Sequence, residues 1–557
     1  MRGRLWTFVA AAAALSVGMA APASGMAARA AGPTAAVPAG PIQPIQPGTA
    51  LNFRLVGHNA LFNRGMNAAL ALYKNFAYVG NRTDASNTCP DGTTGCAHVH
   101  PGVLILDAKD PANPTVVGEI GPPYEGNVGI TSRELRVWPS QKILMVMNFR
   151  CSHVIHACPP GNDTTFPFNI NFFSLKDPAH PQFIESYTPT DQAGVRVKPH
   201  EMFLWADPSN ENRALLYLST PTLSTSPARP NLMVVDISQV PQGGPVTEVA
   251  EGNWNGLYPG TSQANYPFDP TSPNGCGPYD CNLFVHSMSV TADGTEAFLS
   301  MEAGQFLILD TSSVAAAPSP PTGVISLNND LITNPASRPV WLQNPPSPSA
   351  VPQNCLKNCP NGHSAILIPG THFVLTTDEV YGTFTDPSFG CPWGWARIID
   401  ISDPAHPTIV AEYKIAEDQS SFCGSPGDDP LTEQFTSYSS HNPTALPDLA
   451  FVDWHSGGVQ AIDLSDPANP TQAGFFAPTP LSSVAIEDPA LSRGPNKIVM
   501  WSYPVISKGL IYVIDIRNGL YILKYTGPHA AEVKGINFLE GNSNLGDAPE
   551  LQGLSSP

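Results

Sequence analysis

The stretch "ARIIDISDPAHPTIVAEY", residues 396–413, decides the fold. An apolar run ends at Asp400, a proline-bearing turn spans Asp403 to Pro407, and a second apolar run starts at Thr408. Runs this rich in Ile and Val favour extended chain, and an intervening Asp-Pro-Ala-His-Pro turn suits a hairpin. Aspartate can bond its own backbone in such a turn, and proline presets the backbone angle.

The pattern recurs along the chain. "GVLILDAKDPANPTVVGEI" begins at Gly102, "NFFSLKDPAHPQFIESY" at Asn171 and "LMVVDISQVPQGGPVTEVA" at Leu232. "FLILDTSSVAAAPSPPTGVISL" begins at Phe306, "VQAIDLSDPANPTQAGFF" at Val459, and a degenerate "GLYILKYTGPHAAEVKGINF" at Gly519. Two further short apolar runs precede each copy; the clearest unit, from His441 to Ala477, reads "HNPTAL", "LAFVDW", "GGVQAIDL" and "QAGFFA". A unit of four strands is too small to bury its own core and must be repeated until it closes. Seven such units predict an all-β, seven-bladed β-propeller with four-stranded blades. "LNFRLVG" from Leu51 is a candidate closing strand, although the last unit has an apparent fourth strand of its own.

The repeats "IIDISDPAHPTIV" and "AIDLSDPANPTQA" resemble the LVIVD repeat, found in exported bacterial and archaeal proteins expected to form propellers. The resemblance covers most of the chain and departs at blades four and seven, where the DP-x-x-P turn is lost. It implies the fold and little about function, which has to come from a site.

The ends read differently from the repeats. Arg2 and Arg4, an apolar run and an Ala-rich "MAAPASGMAARA" predict a signal peptide over residues 1–30. A Pro/Ala-rich linker is expected over 31–50, the propeller over 51–540 and a flexible tail over 541–557. Ten cysteines fit an oxidising compartment: Cys89/Cys96, Cys151/Cys158, Cys276/Cys281 and Cys355/Cys359 lie close together, leaving Cys391 and Cys423. The expectation is a secreted or extracytoplasmic protein with disulfides in loop insertions on the propeller. A net charge of −19 argues against nucleic acid and anionic membrane surfaces as partners. No later stretch is long and apolar enough for stable membrane insertion.

Aligning the units on their first strands brings out a site. "HEMFLW" starts at His200, "HSMSVT" at His286, "HSAILI" at His363 and "HNPTAL" at His441, so blades three to six carry a histidine in one register. Arg133 takes the position in blade two and Tyr503 in blade seven; "GMNAAL" near Gly65 is the nearest match in blade one. First strands line a propeller's channel, so the four imidazoles are candidate ligands for one transition metal: iron, copper or zinc. One such histidine would read as an ordinary polar residue at a strand end; a register of four does not follow from the repeat motif, which lacks it.

Second strands run back to the same end and finish in polar residues: Glu302, Asp378 and Glu379, Asp453 and His455. Asn81 and Arg82, Asn148 and Arg150, and Arg517 and Asn518 occupy the other blades. Glu201, Glu302, Asp378 and Asp453 are candidates for orienting the histidines or moving protons; His455, Arg133 and Tyr503 complete the candidate catalytic set. The arginines suit a small anionic or oxygen-bearing ligand. His98 with His100, and His153 with His156, are weaker loop pairs. No GxSxG, P-loop or HExxH motif occurs.

The favoured reading is a metal-dependent oxidoreductase acting on a small substrate. A non-catalytic surface-binding propeller competes with it. A calcium-dependent propeller hydrolase is the third reading, weakened because calcium prefers oxygen ligands and this ring is rich in imidazole.

Overall fold

Seven sheets, antiparallel but for one short parallel pair, make up the described residues of the computed structural model, 44–82, 98–120, 130–150, 169–220, 230–254, 285–301, 305–333, 362–379, 393–419, 421–425, 438–487 and 497–554. Blade one runs Asn67–Tyr73, Phe76–Asn81, Val103–Asp107 and Thr115–Ile120, each strand bonded to the next. The same four-strand plan starts at Ile130–Trp138 in blade two, Met202–Ala206 in blade three, Gly362–Leu367 in blade five and Pro443–Ala445 in blade six.

Sequence pattern and depth in the blade agree. The second strand of blade three, Ala214–Ser219, is buried at every residue because neighbouring blades cover both its faces. The outermost strand of blade one, Thr115–Ile120, alternates exposed and half-buried residues because only one face is covered. Between blades three and four, Leu215 and Tyr217 pack into one core with Met288 and Leu299.

The recurring aspartates are turn-formers. Asp400 Oδ1 accepts the Ser402 N–H at 2.8 Å, and Asp403 Oδ1 accepts the Ala405 N–H at 3.2 Å. Asp466 repeats this with Ala468 N–H at 3.2 Å and holds Asn469 Nδ2 at 2.9 Å. His180 and His406, in the DPAHP turns, contact Asp177 and Asp403 at 2.9 and 3.0 Å. These histidines belong to hairpins on the rim.

The candidate closing strand at "LNFRLVG" is borne out, while the fourth strand expected within blade seven's own copy is not. Phe53–Asn59 pairs antiparallel with Gly519–Tyr525 and supplies the outer strand of blade seven. The residues expected to do so instead form a helix, Ala530–Gly535, and a short strand, Phe538–Leu539, on the inner edge of that blade. Pairing the two ends of the chain in one sheet closes the ring. Blade four also departs from plan. Among the described residues it has three strands, from Val285–Val290 to Gln305–Asp310, plus a bridge from Leu309 to Leu331. Its anticipated fourth strand, Ile325–Ser326, joins blade three in parallel.

Two expected boundaries move. Ile45, placed in the linker, is buried with its N–H on Glu417 Oε1 at 2.5 Å, and Thr49–Leu51 adds an edge strand to blade six. The expected flexible tail is packed through residue 554. Leu204 N–H bonds Asn542 O at 3.1 Å, and Asn544 N–H returns to Leu204 O at 3.2 Å. Asn544 Nδ2 also reaches Ala292 O at 3.1 Å, and Arg136 Nε reaches Asn542 O at 3.3 Å. Gly541 is required where this segment crosses blade six, since a Cβ there would meet Pro443 O at 2.0 Å. The segment therefore lies against inner strands of blades two, three, four, six and seven and floors the channel.

Residues 1–43, Glu302, His153, His156 and the Arg150 side chain lie outside the described residues, as do the close cysteine pairs and Cys391. Cys423 is described and is not a free thiol.

Candidate metal centre at the hub

Strand pairing confirms the common register of the first strands. In blade three, His200 N–H bonds Ser219 O at 2.8 Å; in blade six, His441 N–H bonds Asp453 O at 2.8 Å. In blades four and five the ladder slips by one residue at the matching place, between Val285 and Ser287 and between Gly362 and Ser364. His286 and His363 occupy these bulges, and Arg133 occupies the same slip in blade two. A bulge re-aims its side chain, here toward the axis.

The four rings form a continuous arc. Centroids are 4.4 Å apart for His200 and His286, 4.0 Å for His286 and His363, and 4.0 Å for His363 and His441. His455, just past the second strand of blade six, extends the arc at 4.7 Å from His441. Trp501 backs both of these, stacked on His455 with planes 9° apart. His200 is half-buried; the other four are buried.

Glu379 sits against the arc. Its Oε2 lies 3.6 Å from His363 Nε2 and 4.0 Å from His286 Nε2. Its Oε1 lies 3.2 Å from His455 Nε2 and 3.4 Å from His441 Nε2. Glu201 approaches from the channel floor, with Oε1 3.9 Å from both His286 Nδ1 and His363 Nε2.

Acceptors behind three of the rings fix their tautomers. His441 Nδ1 faces the Trp501 carbonyl at 2.7 Å, so Nδ1 carries the proton. Ser364 Oγ donates to Asn442 Oδ1 at 3.1 Å and therefore accepts from His363 Nδ1 at 2.8 Å. Ser287 Oγ donates to Glu201 Oε2 at 2.8 Å and accepts from His286 Nδ1 at 3.0 Å. His363 and His441 are thereby left with an Nε2 lone pair directed at the hub, while His286 Nε2 shares a hydrogen bond with His200 Nε2 at 2.9 Å.

Burial sets the electrostatics. It pushes His286 down to about 3 and His441 to about 4, and holds His200 and His363 well below the ordinary imidazole value. Burial opposes ionisation of Glu379, yet His363 and His441 outweigh it and keep the carboxyl well below its usual range. Burial and the nearby Glu134 raise Glu201 well above that range. Burial and Glu201 raise the Tyr503 hydroxyl.

The other candidates divide. Tyr503 is at the hub, its hydroxyl 3.4 Å from Glu201 Oε2 and 3.3 Å from Ser364 Oγ. Arg133 reaches the wall, 5.9 Å from the Trp501 ring, where Arg82 stacks at 4.2 Å. Asp378 turns away and pairs with Arg397 inside blade five. Asp453 is buried beside Asp515, which together with burial raises it well above the usual range. Arg517 is held by Glu487 at 2.9 Å. Asn81 bonds Ser132 Oγ at 3.2 Å and Asn148 bonds Asn169 Oδ1 at 2.9 Å. His100 contacts Glu119 at 2.9 Å, and Glu302 lies outside the described residues.

The sequence reading missed the serines. Ser287, Ser364 and Asn442 each follow a hub histidine, as Glu201 does, and that shared register was the available signal. It also passed over Glu379 in favour of Asp378, its neighbour in "TTDEVYG".

Among comparisons with known proteins, a family model described as the LVIVD repeat matches residues 396–415. No curated protein matches. Among solved structures, Sqt1 from Chaetomium thermophilum is 13% identical with a TM-score of 0.38, covering 84% of this chain and 86% of that one. The Cps50 (Swd1) β-propeller domain of Myceliophteria thermophila is 9% identical with a TM-score of 0.39, covering 85% and 99%. A chain of a mitotic checkpoint complex is 7% identical with a TM-score of 0.38, covering 86% and 95%. These likenesses carry nothing about function. The chain is a seven-bladed propeller that carries the LVIVD repeat.

Proposed function

We propose that the hub is a transition-metal site and that the protein is an exported, metal-dependent oxidoreductase acting on a small substrate. One observation carries the metal reading: two imidazoles, His363 and His441, with their protons on Nδ1, turn Nε2 lone pairs toward the oxygens of the buried Glu379 carboxylate, and His286 and His455 stand beside them. Lone pairs facing an ionised carboxylate repel unless a cation lies between them. Burial disfavours the charged form of His286 and His441. A buried anion without a counter-charge is costly, and a metal ion removes that cost.

The donor set fits the group. Imidazoles with one carboxylate suit iron, copper or zinc and disfavour calcium. Copper or iron, when bound, would supply electron transfer, which zinc does not. His286, His363, His441, His455 and Glu379 would hold the metal, with half-buried His200 at the more open end of the arc. Ser287, Ser364 and the Trp501 carbonyl orient the ligands. Glu201 and Tyr503, joined by a hydrogen bond, would hold and pass a proton beneath the site. Arg133 and Arg82 on the wall suit an anionic or oxygen-rich substrate. Export rests on the N-terminal Arg2/Arg4 and apolar pattern and on the even cysteine count.

The test is metal analysis of protein recovered from an oxidising compartment, beside His286→Ala/His363→Ala. At least one copper or iron per chain in the parent, with marked loss in the double variant, is expected. Less than about a tenth of an ion per chain in both, after supplementation, would leave a non-catalytic binding propeller.

A further inference from the structure

The two oxygens of Glu379 face two different pairs of histidines. Oε2 approaches His286 and His363, while Oε1 approaches His441 and His455. Each set of three offers ligand atoms within 4.8 Å of one another, and the two sets share Glu379 alone. Metal–ligand bonds of about 2.0–2.2 Å place two ligands of one ion roughly 3–3.5 Å apart. The Glu379–histidine separations run from 3.2 to 4.0 Å, so an inward movement of the side chains brings either set to bonding distance of an ion.

We propose that the hub is a dinuclear centre: one ion on His286 and His363, a second on His441 and His455, and Glu379 as the bridging carboxylate. The proposal rests on the metal reading above and adds its nuclearity. The supports behind the rings are divided in the same way. Ser287 and Ser364 back the first pair, on a network that includes Glu201 and Tyr503. The Trp501 carbonyl backs His441, and the Trp501 ring stacks on His455. His200 Nε2 lies 2.9 Å from His286 Nε2, which makes it the ring best placed to join the first ion. Two adjacent copper(II) ions, each accepting one electron to become copper(I), would balance a two-electron oxidation of a small substrate.

The experiment is stepwise loading of the purified full chain with copper(II), counting bound copper after desalting and integrating its electron paramagnetic resonance signal. Two coppers per chain are expected, with fewer than two spins per chain because a bridging carboxylate couples them. His286→Ala and His455→Ala should each retain one copper, with a full spin. Saturation at one copper per chain with one spin would overturn the dinuclear assignment while leaving a metal site. Two coppers with two uncoupled spins would remove the bridge, and no retained copper would overturn both readings. The parent chain alone decides between these outcomes, so a variant that fails to fold does not blur the result.

Discussion

Two clusters in this molecule use the same residue types and differ in kind. At the hub, His441, His455 and Glu379 have side chains 1%, 0% and 4% exposed. On the rim, His529 lies 3.1 Å from Glu532 and 3.8 Å from Asp448, with side chains 25%, 27% and 49% exposed. Rim water solvates every charge, so its contacts are worth little and need no ion. The hub side chains are shielded from solvent, and the proposed cation would offset the buried carboxylate's charge there. Proximity of imidazole and carboxylate is common; burial is what distinguishes the hub from the rim.

Three changes test that contrast, beginning with the largest effect. Glu379→Ala removes the group shared by both halves of the hub, and its metal affinity should fall by at least about a hundredfold in equilibrium dialysis. An affinity within threefold of the parent would break the contrast.

The pH response of the metal-free chain comes next. Folded His441 titrates at about 4 against an ordinary 6.5, so the unfolded chain binds more protons between those values. Stability contributed by its burial as a neutral ring is therefore present above that window and is lost as pH falls through it. Buried Glu201, held up by burial, tilts the balance the other way, so the useful comparison is with His441→Gln. The variant's melting temperature should fall less steeply from about pH 7 to about pH 5 than the parent's. Parallel slopes would contradict this.

The smallest effect belongs to the rim. His529 has φ +58°, a left-handed conformation that asparagine tolerates. His529→Asn should leave metal content unchanged and shift stability by no more than about 0.5 kcal/mol in denaturant unfolding. Loss of hub metal in this variant would show that the two clusters are not independent.

The sequence carried the fold well where signals are local and periodic. The DP-x-x-P turns and the histidines at strand starts recur at matched positions, so they could be aligned without coordinates. The closing strand could be named from "LNFRLVG", but nothing within that segment encodes its partner, Gly519–Tyr525. The degenerate seventh copy obscured it further, because its final apolar residues build a helix and the channel floor. At the site, side-chain parity at a strand end was the obstacle. Asp378 closes the strand and faces Arg397, while Glu379, one residue later, faces the hub. Consecutive acids point to opposite sides there, and no pattern in "TTDEVYG" says which side is the channel. His455 was legible as a polar residue at the right end of its strand; that it extends the arc required the turn of its loop.

The most direct measurement is anomalous X-ray diffraction from crystals of the loaded protein, collected on either side of the copper absorption edge. The account predicts anomalous density within about 2.0–2.2 Å of Glu379 oxygens and of Nε2 atoms of His286, His363, His441 or His455. A hub without anomalous density, in a crystal that holds copper elsewhere, would contradict it.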